Sequence, residues 1–524
     1  MKNNVVKLAG AMLLLSDAVF AQSSCVSPPA VFDGVPVTGQ FDRQGVACVS
    51  LPLNAQTYVR ATLIGGGDLR LSDSQRRHLR TVISDMPVTT TNRGVFAVME
   101  DGNYYLRLTG PAGGTWSLAL ESYAAKPLKL PLAPDIISPL IMRLDRQVRQ
   151  GEGTASFWRE VARSGSPLVE PYDADSRIVT FLWRSARQNV FILGAPSGDH
   201  DPLYYLPGSD VWFRSYIVPK DTLMSYRLAP DVPVVDDSPM AQRRAILITA
   251  QADPLNPQAS PAPSEDRYNH ASLLNLSGER VCRQRIAPGY SLAGTLHSES
   301  LASAILNNRR AIAIYQPPGD HDDRRLVILF DGQTYLKKYR LHEQIDVLIR
   351  HGALPPVTLV FVDSLDGDTR GRELPPNPSF ADFLVHELLP WLAERGIDSR
   401  AARTVVAGSS YGGLASAWAA WRYPDRFGNV LSLSGSYWWR SPDGVPEWLI
   451  DQFAGGPRKP IRFYLEAGRF EQKGDGGGIL ANNRRLYTVL KNKGYDVSHV
   501  ERSSGHDYIR WCEEIPLGLS ALLD

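Results

Sequence analysis

Ser410 stands in Gly408–Ser409–Ser410–Tyr411–Gly412, a Gly-x-Ser-x-Gly pentapeptide. A serine hydroxyl becomes a nucleophile when a base takes its proton in the transition state. His506, the last of the ten histidines, fits that base, because it follows the strand-like run Val497–Glu501 in a loop near the chain end. His321, in a charged loop, and His386, inside a helical stretch, are weaker candidates. A carboxylate must orient the imidazole, and in a chain of this type it falls between serine and histidine. Glu471, past the end of the run Arg462–Leu465, suits that place, with Glu466 the alternative. Asp507 adjoins His506 too closely in sequence to serve it. The oxyanion of a tetrahedral intermediate needs N–H donors. Tyr411, directly after the serine, offers one, and Gln333, in the turn Asp331–Gly332–Gln333, offers the second.

The elements that must hold these residues are legible around them. Thr404–Val405–Val406–Ala407 is a β-branched, apolar run ending at the pentapeptide, and Leu414–Arg422 is helix-forming. Strand, sharp turn and helix would project Ser410 from the end of a sheet, with Gly408 and Gly412 avoiding collisions. From residue 285 onward, strands at Arg310–Tyr315, Leu326–Phe330, Val357–Val362, Thr404–Ala407, Val430–Leu433, Arg462–Leu465 and Val497–Glu501 alternate with helices such as Phe380–Arg395 and Asn483–Lys493. That alternation predicts an α/β hydrolase, a mostly parallel sheet with its active site at the strand carboxyl ends. Arg370 and Arg372, together with Tyr437, Trp438 and Trp439, offer cations and aromatic faces for a flat anionic ligand.

Two β-rich, sandwich-like domains precede it. Residues 22–125 contain short alternating runs (Tyr58–Ile64, Gly94–Met99, Tyr104–Leu108, Trp116–Leu120) and no catalytic constellation. Residues 126–284 open with a proline-marked linker and a helix over Leu140–Gln150. Strands follow at Arg177–Trp183, Asn189–Leu193, Val211–Ile217 and Leu223–Leu228. Residues 1–21 read as a signal peptide: Lys2 and Lys7, the apolar Leu8–Leu15, and a Val19–Phe20–Ala21 cleavage site. The apolar run is too short to span a bilayer. Cys25, Cys48, Cys282 and Cys512 make an even count, which in an oxidising compartment predicts disulfides, with Cys25–Cys48 and Cys282–Cys512 one pairing. With 56 basic against 55 acidic residues, net charge +1, nothing points to nucleic acid.

The motifs resemble the enterochelin (enterobactin) esterases. In the last domain the likeness runs through Leu329–Phe330–Asp331–Gly332, Arg370-x-x-Glu373–Leu374–Pro375, Phe380–Pro390, Thr404–Gly413, Pro424-x-Arg426–Phe427–Gly428, Ser434–Trp439, Leu465–Glu466–Ala467–Gly468 with Glu471, and Gly505–His506–Asp507. In the second domain it runs through Ser166–Glu170, Val179–Trp183, Gly208-x-Asp210–Val211–Trp212 and Ala252–Pro257. The likeness covers about 140–524. It implies a serine esterase that cleaves the tri-serine lactone of a catecholate siderophore, with Ser410 the nucleophile, His506 the base, Glu471 the acid and Arg370 meeting the anionic complex. No cofactor is implied, since iron arrives with the substrate. The chain departs from the family in three ways. Ser504–Gly505 replaces Gly-Gly before the histidine, residues 22–125 have no counterpart, and the signal peptide places in the periplasm (or outside the cell) an activity that the familiar members perform in the cytoplasm. An exported feruloyl or acetyl esterase of plant polysaccharides is the nearest alternative, and a noncatalytic siderophore-binding protein on the same fold is another.

Overall fold

The computed structural model describes residue 25 and residues 34–84, 91–124, 135–233, 239–264, 266–319, 325–398 and 400–523. The signal-peptide reading, most of the first linker and His321 lie outside these.

The first unit is a sandwich of two four-stranded antiparallel sheets. One sheet orders Val37–Gln40, Thr115–Ala124, Thr57–Ile64 and Thr91–Val98; the other orders Val46–Leu53, Gly102–Thr109, Asp68–Ser72 and His78–Ile83. Alternation drives it: Val59, Ala61 and Leu63 on one strand meet Leu106 and Leu108 in a shared core. Cys25 is disulfide-bonded to Cys48. The strands at 37–40, 46–53, 68–72 and 78–83 went unpredicted; 37–40 is only four residues long and 46–53 carries just two β-branched residues.

The second unit also packs two sheets, one of four strands and one of five, including Ser176–Arg184, Val211–Pro219, Val190–Leu193 and Leu223–Pro230. Among the described residues it carries three α-helices: Pro139–Arg149, Ala155–Ser164 and Pro239–Thr249. Only the first was expected. Its start is set by Ser138, whose hydroxyl accepts from the N–H of Ile141, followed by proline at the first helical position.

The last unit carries an eight-stranded sheet. Its strands are β1 (Thr295–Ser303), β2 (Asn308–Gln316), β3 (Arg325–Leu329), β4 (Val357–Val362), β5 (Thr404–Ser409), β6 (Asn429–Leu433), β7 (Arg462–Gly468) and β8 (Asp496–Arg502). Their spatial order is β1-β2-β4-β3-β5-β6-β7-β8. β2 pairs antiparallel with both β1 and β4, and β3 to β8 are parallel to one another. Every residue of β5 is buried, because helices cover both faces of the sheet. Val406 joins the core on one face, and Val405 and Ala407 join the core on the other. β1 is the strand the sequence reading lacked; its exposed, polar alternation marks an edge. The Cys282–Cys512 disulfide ties the end of the second unit to the C-terminal helix of this one, Tyr508–Leu523. Among the described residues no helix is long and apolar enough to cross a membrane.

Candidate active site

β5 ends on Ser409, and helix Tyr411–Arg422 begins one residue later. Ser410 joins them at φ 58° and ψ −120°, a region that L-residues rarely occupy. The strain is held by the surroundings: the Ser410 N–H donates to the Leu433 carbonyl at 2.9 Å, and its own carbonyl accepts from Leu414 at 3.1 Å and Ser436 at 3.1 Å. Gly408 is needed because a Cβ there would lie 2.6 Å from the Gly412 backbone. Gly412 is a correction to the expectation. Its own Cβ would rest 3.5 Å from Phe330, an ordinary contact, whereas one on Gly413 would come within 2.6 Å of Ser432 Oγ. The helix approaches the sheet closely at 408 and 413.

The loop after β7 carries Glu471, and the loop after β8 carries His506. Backbone bonds lock the two together, from Arg469 N–H to the Arg502 carbonyl (2.7 Å) and from Phe470 N–H to the Ser504 carbonyl (3.0 Å). His506 Nδ1 lies 2.6 Å from Glu471 Oε1. The other oxygen of Glu471 accepts from Ser434 Oγ and from the Gly468 N–H, both at 2.7 Å. Trp511 donates its indole N–H to Ser434 Oγ at 3.0 Å and meets the imidazole edge-on, centroids 4.7 Å apart. The carboxylate is thus fixed at both oxygens while the imidazole remains half-exposed toward the cavity. Ser410 Oγ hydrogen-bonds Ser436 Oγ at 3.2 Å.

Glu466 lies deeper. It is fully buried, and neither carboxylate oxygen has a hydrogen-bond partner. Burial, and then the nearby Glu471 and Glu514, push its carboxyl well above the usual 4.5. An acid whose pKa is raised by folding is stabilising when protonated, and the native state loses stability as pH climbs above the unfolded value. Glu466→Gln is therefore expected to gain in melting temperature relative to wild type as pH is raised above the ordinary carboxylate range, as followed by calorimetry. A pH-independent difference would contradict that sign.

Gln333 opens a helical turn after β3, and its side-chain carbonyl accepts from the Ser364 N–H at 3.1 Å. Asp331, just before it, is buried at φ 54°. Arg370 grips Asp331 with two bonds of 2.7 Å, and Ser364 Oγ adds a third at 2.8 Å. This corrects one expectation. Arg370 is spent on an internal carboxylate that braces the Gln333 turn, so its charge is not free for a ligand. Arg372 is exposed, donates to Thr369 Oγ1 at 3.1 Å, and does not line the cavity. The aromatic cluster also divides. Trp438 lines the cavity and packs on Tyr411, centroids 5.9 Å apart. Tyr437 is 1% exposed with its hydroxyl donated to Ser432, so it belongs to the core, whereas Trp439 is half-buried, packs on Trp448 and does not line the cavity. The run Tyr437–Trp438–Trp439 turns at the strand end, which sends its middle ring to the cavity.

Ser410, Glu471 and His506 share a cavity of about 1150 Å³ whose opposite wall comes from the second unit, including His200, Arg227 and Arg243. The sequence reading missed that wall. Arg227 alternates with the buried Met224, Tyr226 and Leu228 along its strand, which marks it as outward-facing without saying what it faces. The walls are fastened by Asp507, which accepts from the N–H and Oγ of Ser225, and by Leu223 N–H to the Ser503 carbonyl at 3.1 Å.

A serine on a strained strand-to-helix turn of this sheet, lining one cavity with a histidine held by a carboxylate, defines the molecule as an α/β-hydrolase-type serine ester hydrolase. Comparison with known proteins gives the family. The esterase family model matches residues 303–522, and "Enterochelin esterase, N-terminal" matches residues 178–280. The iron(III) enterobactin esterase of Dickeya dadantii is 32% identical over 403 residues, covering 68% of this chain and 90% of that protein. The iron(III) salmochelin esterase of Escherichia coli O6:H1 is 27% identical over 383 residues, covering 68% and 90%. The crystal structure of the enterobactin esterase from Shigella flexneri in the presence of enterobactin superposes with a TM-score of 0.57 at 26% identity, covering 71% of this chain and 98% of that one. The ferric enterobactin esterase from Salmonella typhimurium gives 0.59 at 26%, covering 70% and 98%. The chain belongs to the enterobactin esterase family.

Proposed function

We propose that this protein hydrolyses the tri-serine lactone of enterobactin-type catecholate siderophores, iron-loaded or iron-free, to linear products, with Ser410, His506 and Glu471 as its triad. The observation that carries the reading is the 2.6 Å contact from His506 Nδ1 to Glu471, set beside Ser410 in one cavity. His506 takes the Ser410 proton as Oγ attacks a serine ester carbonyl. Glu471 then stabilises the imidazolium and keeps the ring's other nitrogen turned to the substrate. Tyr411 sits in the first helical turn, whose N–H groups have no intrahelical acceptor, and Gln333 opens the facing turn; their backbone N–H groups are assigned the oxyanion. The imidazolium protonates the alkoxide oxygen of the leaving serine as the C–O bond breaks, and water deprotonated by the same histidine hydrolyses the acyl-enzyme, releasing the carboxylic acid and returning the proton to Ser410. Trp438 is the aromatic surface for a catechol ring. Iron enters and leaves with the ligand.

The three units are proposed to divide at 22–125, 126–284 and 285–524, the second roofing the site and the third performing the chemistry. The disulfides Cys25–Cys48 and Cys282–Cys512, with the basic-then-apolar start of the sequence, support residence in the periplasm.

Chromatography of enterobactin, iron-loaded and iron-free, after incubation with the protein is expected to show linear trimer, dimer and monomer. Turnover of a feruloyl ester with both forms of enterobactin left intact would overturn the substrate assignment.

A further inference from the structure

The N-terminal sandwich precedes both family matches, yet it presses an arginine against the cavity's wall. Arg80 lies on the sandwich's edge strand, His78–Ile83. Its guanidinium donates to the carbonyl of Ile248, at the C-terminal end of helix Pro239–Thr249, and lies over the Tyr268 ring at 4.8 Å from the centroid. Next to it, the Thr81 N–H donates to Asp266 at 2.9 Å. That helix carries Arg243 into the cavity, and the Tyr268 carbonyl accepts from Arg227, which lines the same wall, at 3.3 Å. One side chain of the sandwich therefore grips the end of the helix that bears Arg243 and packs on Tyr268, whose carbonyl holds Arg227.

The charges are unbalanced. Among the described residues, Arg227 and Arg243 have no carboxylate partner, whereas the cavity's Lys473 is paired with Asp199 at 3.2 Å. Asp266, the acid beside Arg80, is occupied by N–H donors from Thr81, Tyr268 and Asn269. Burial and the nearby Arg80 charge draw Arg227 down to about 10, so it remains cationic at neutral pH. An anion in the cavity compensates that charge, and a neutral ligand does not.

We propose that Arg227 and Arg243 form an anion subsite and that Arg80, from the N-terminal sandwich, is its positioning residue, biasing the enzyme toward multiply anionic esters. This rests on the esterase reading and deepens it. A ferric tris-catecholate is strongly anionic, whereas the iron-free triester with protonated catechols is neutral, so the sandwich would favour the metal-loaded form.

The test compares wild type, Arg80→Met and Arg80→Lys in the full chain, on iron-loaded enterobactin, iron-free enterobactin and p-nitrophenyl acetate. Arg80→Met is expected to raise KM for the iron-loaded ester by about fivefold to tenfold, with kcat unchanged, in the lower part of the range for coupling between sites. The iron-free ester and p-nitrophenyl acetate should change by less than about twofold, and Arg80→Lys should restore most of the ferric KM, since the charge is kept. An unchanged ferric KM, or an equal rise for both forms of enterobactin, would overturn the assignment. Should Arg80→Met fail to fold, Arg80→Gln keeps a donor for the Ile248 carbonyl and is read by the same criteria. Wild-type failure on every ester would sink the esterase reading itself, whereas normal wild-type turnover with an unmoved Arg80→Met sinks only the subsite.

Discussion

Alanine at position 410 is expected to remove siderophore hydrolysis, lowering kcat by on the order of 10⁶-fold, the loss seen when a triad nucleophile is deleted. Ser410 has no substitute in the cavity: its neighbour Ser436, 3.2 Å away, is bonded to it and lies off the strained turn. The fold should tolerate the change, since Ser410 is anchored by its backbone to Leu433, Leu414 and Ser436 rather than by its hydroxyl. Binding should therefore survive, and quenching of the cavity-lining Trp438 by the iron-loaded ligand would report it. Residual turnover within about tenfold of wild type would show that another group does the chemistry.

Glu471→Ala is expected to lower kcat by about 10⁴-fold while KM moves by less than about twofold, because the acid acts on the base and not on the substrate. The variant frees His506 Nδ1 and strands Ser434 Oγ and the Gly468 N–H, which both donate to that carboxylate. Kinetics on Glu466→Gln form the counterpart. Glu466 is buried on β7 without a hydrogen-bond partner, so its amide variant should keep kcat within a few-fold of wild type. If Glu466→Gln were the inactive variant and Glu471→Ala the active one, the acid would be misassigned.

How much of this was legible in the sequence depends on the range of the contact. The turn around Ser410 is local: a β-branched strand, a serine between glycines and a helix former fix its shape within ten residues. Of the seven strands of the last sheet that were readable, the central ones, such as β4 and β5, are buried on both faces and so form continuous apolar runs. Glu471 and His506 could be ordered by chain logic but were brought together only by the parallel pairing of β7 and β8. Arg370 misled because an arginine near a site has the same sequence signature whether it meets a ligand or, as here, the buried Asp331. Tyr437 and Trp439 misled for the matching reason, since an aromatic run does not announce which ring turns outward. The cavity's far wall was invisible: His200, Arg227 and Arg243 acquire their positions from packing between units, which no local pattern encodes.

The most direct test of the central claim is labelling by an active-site phosphonofluoridate, mapped by peptide mass spectrometry with and without competing iron-loaded enterobactin. The account predicts one modified peptide, carrying the label on Ser410, protected by the siderophore and absent from Ser410→Ala. A label on another residue, or a Ser410 label that the siderophore fails to protect and a feruloyl ester does, would contradict it.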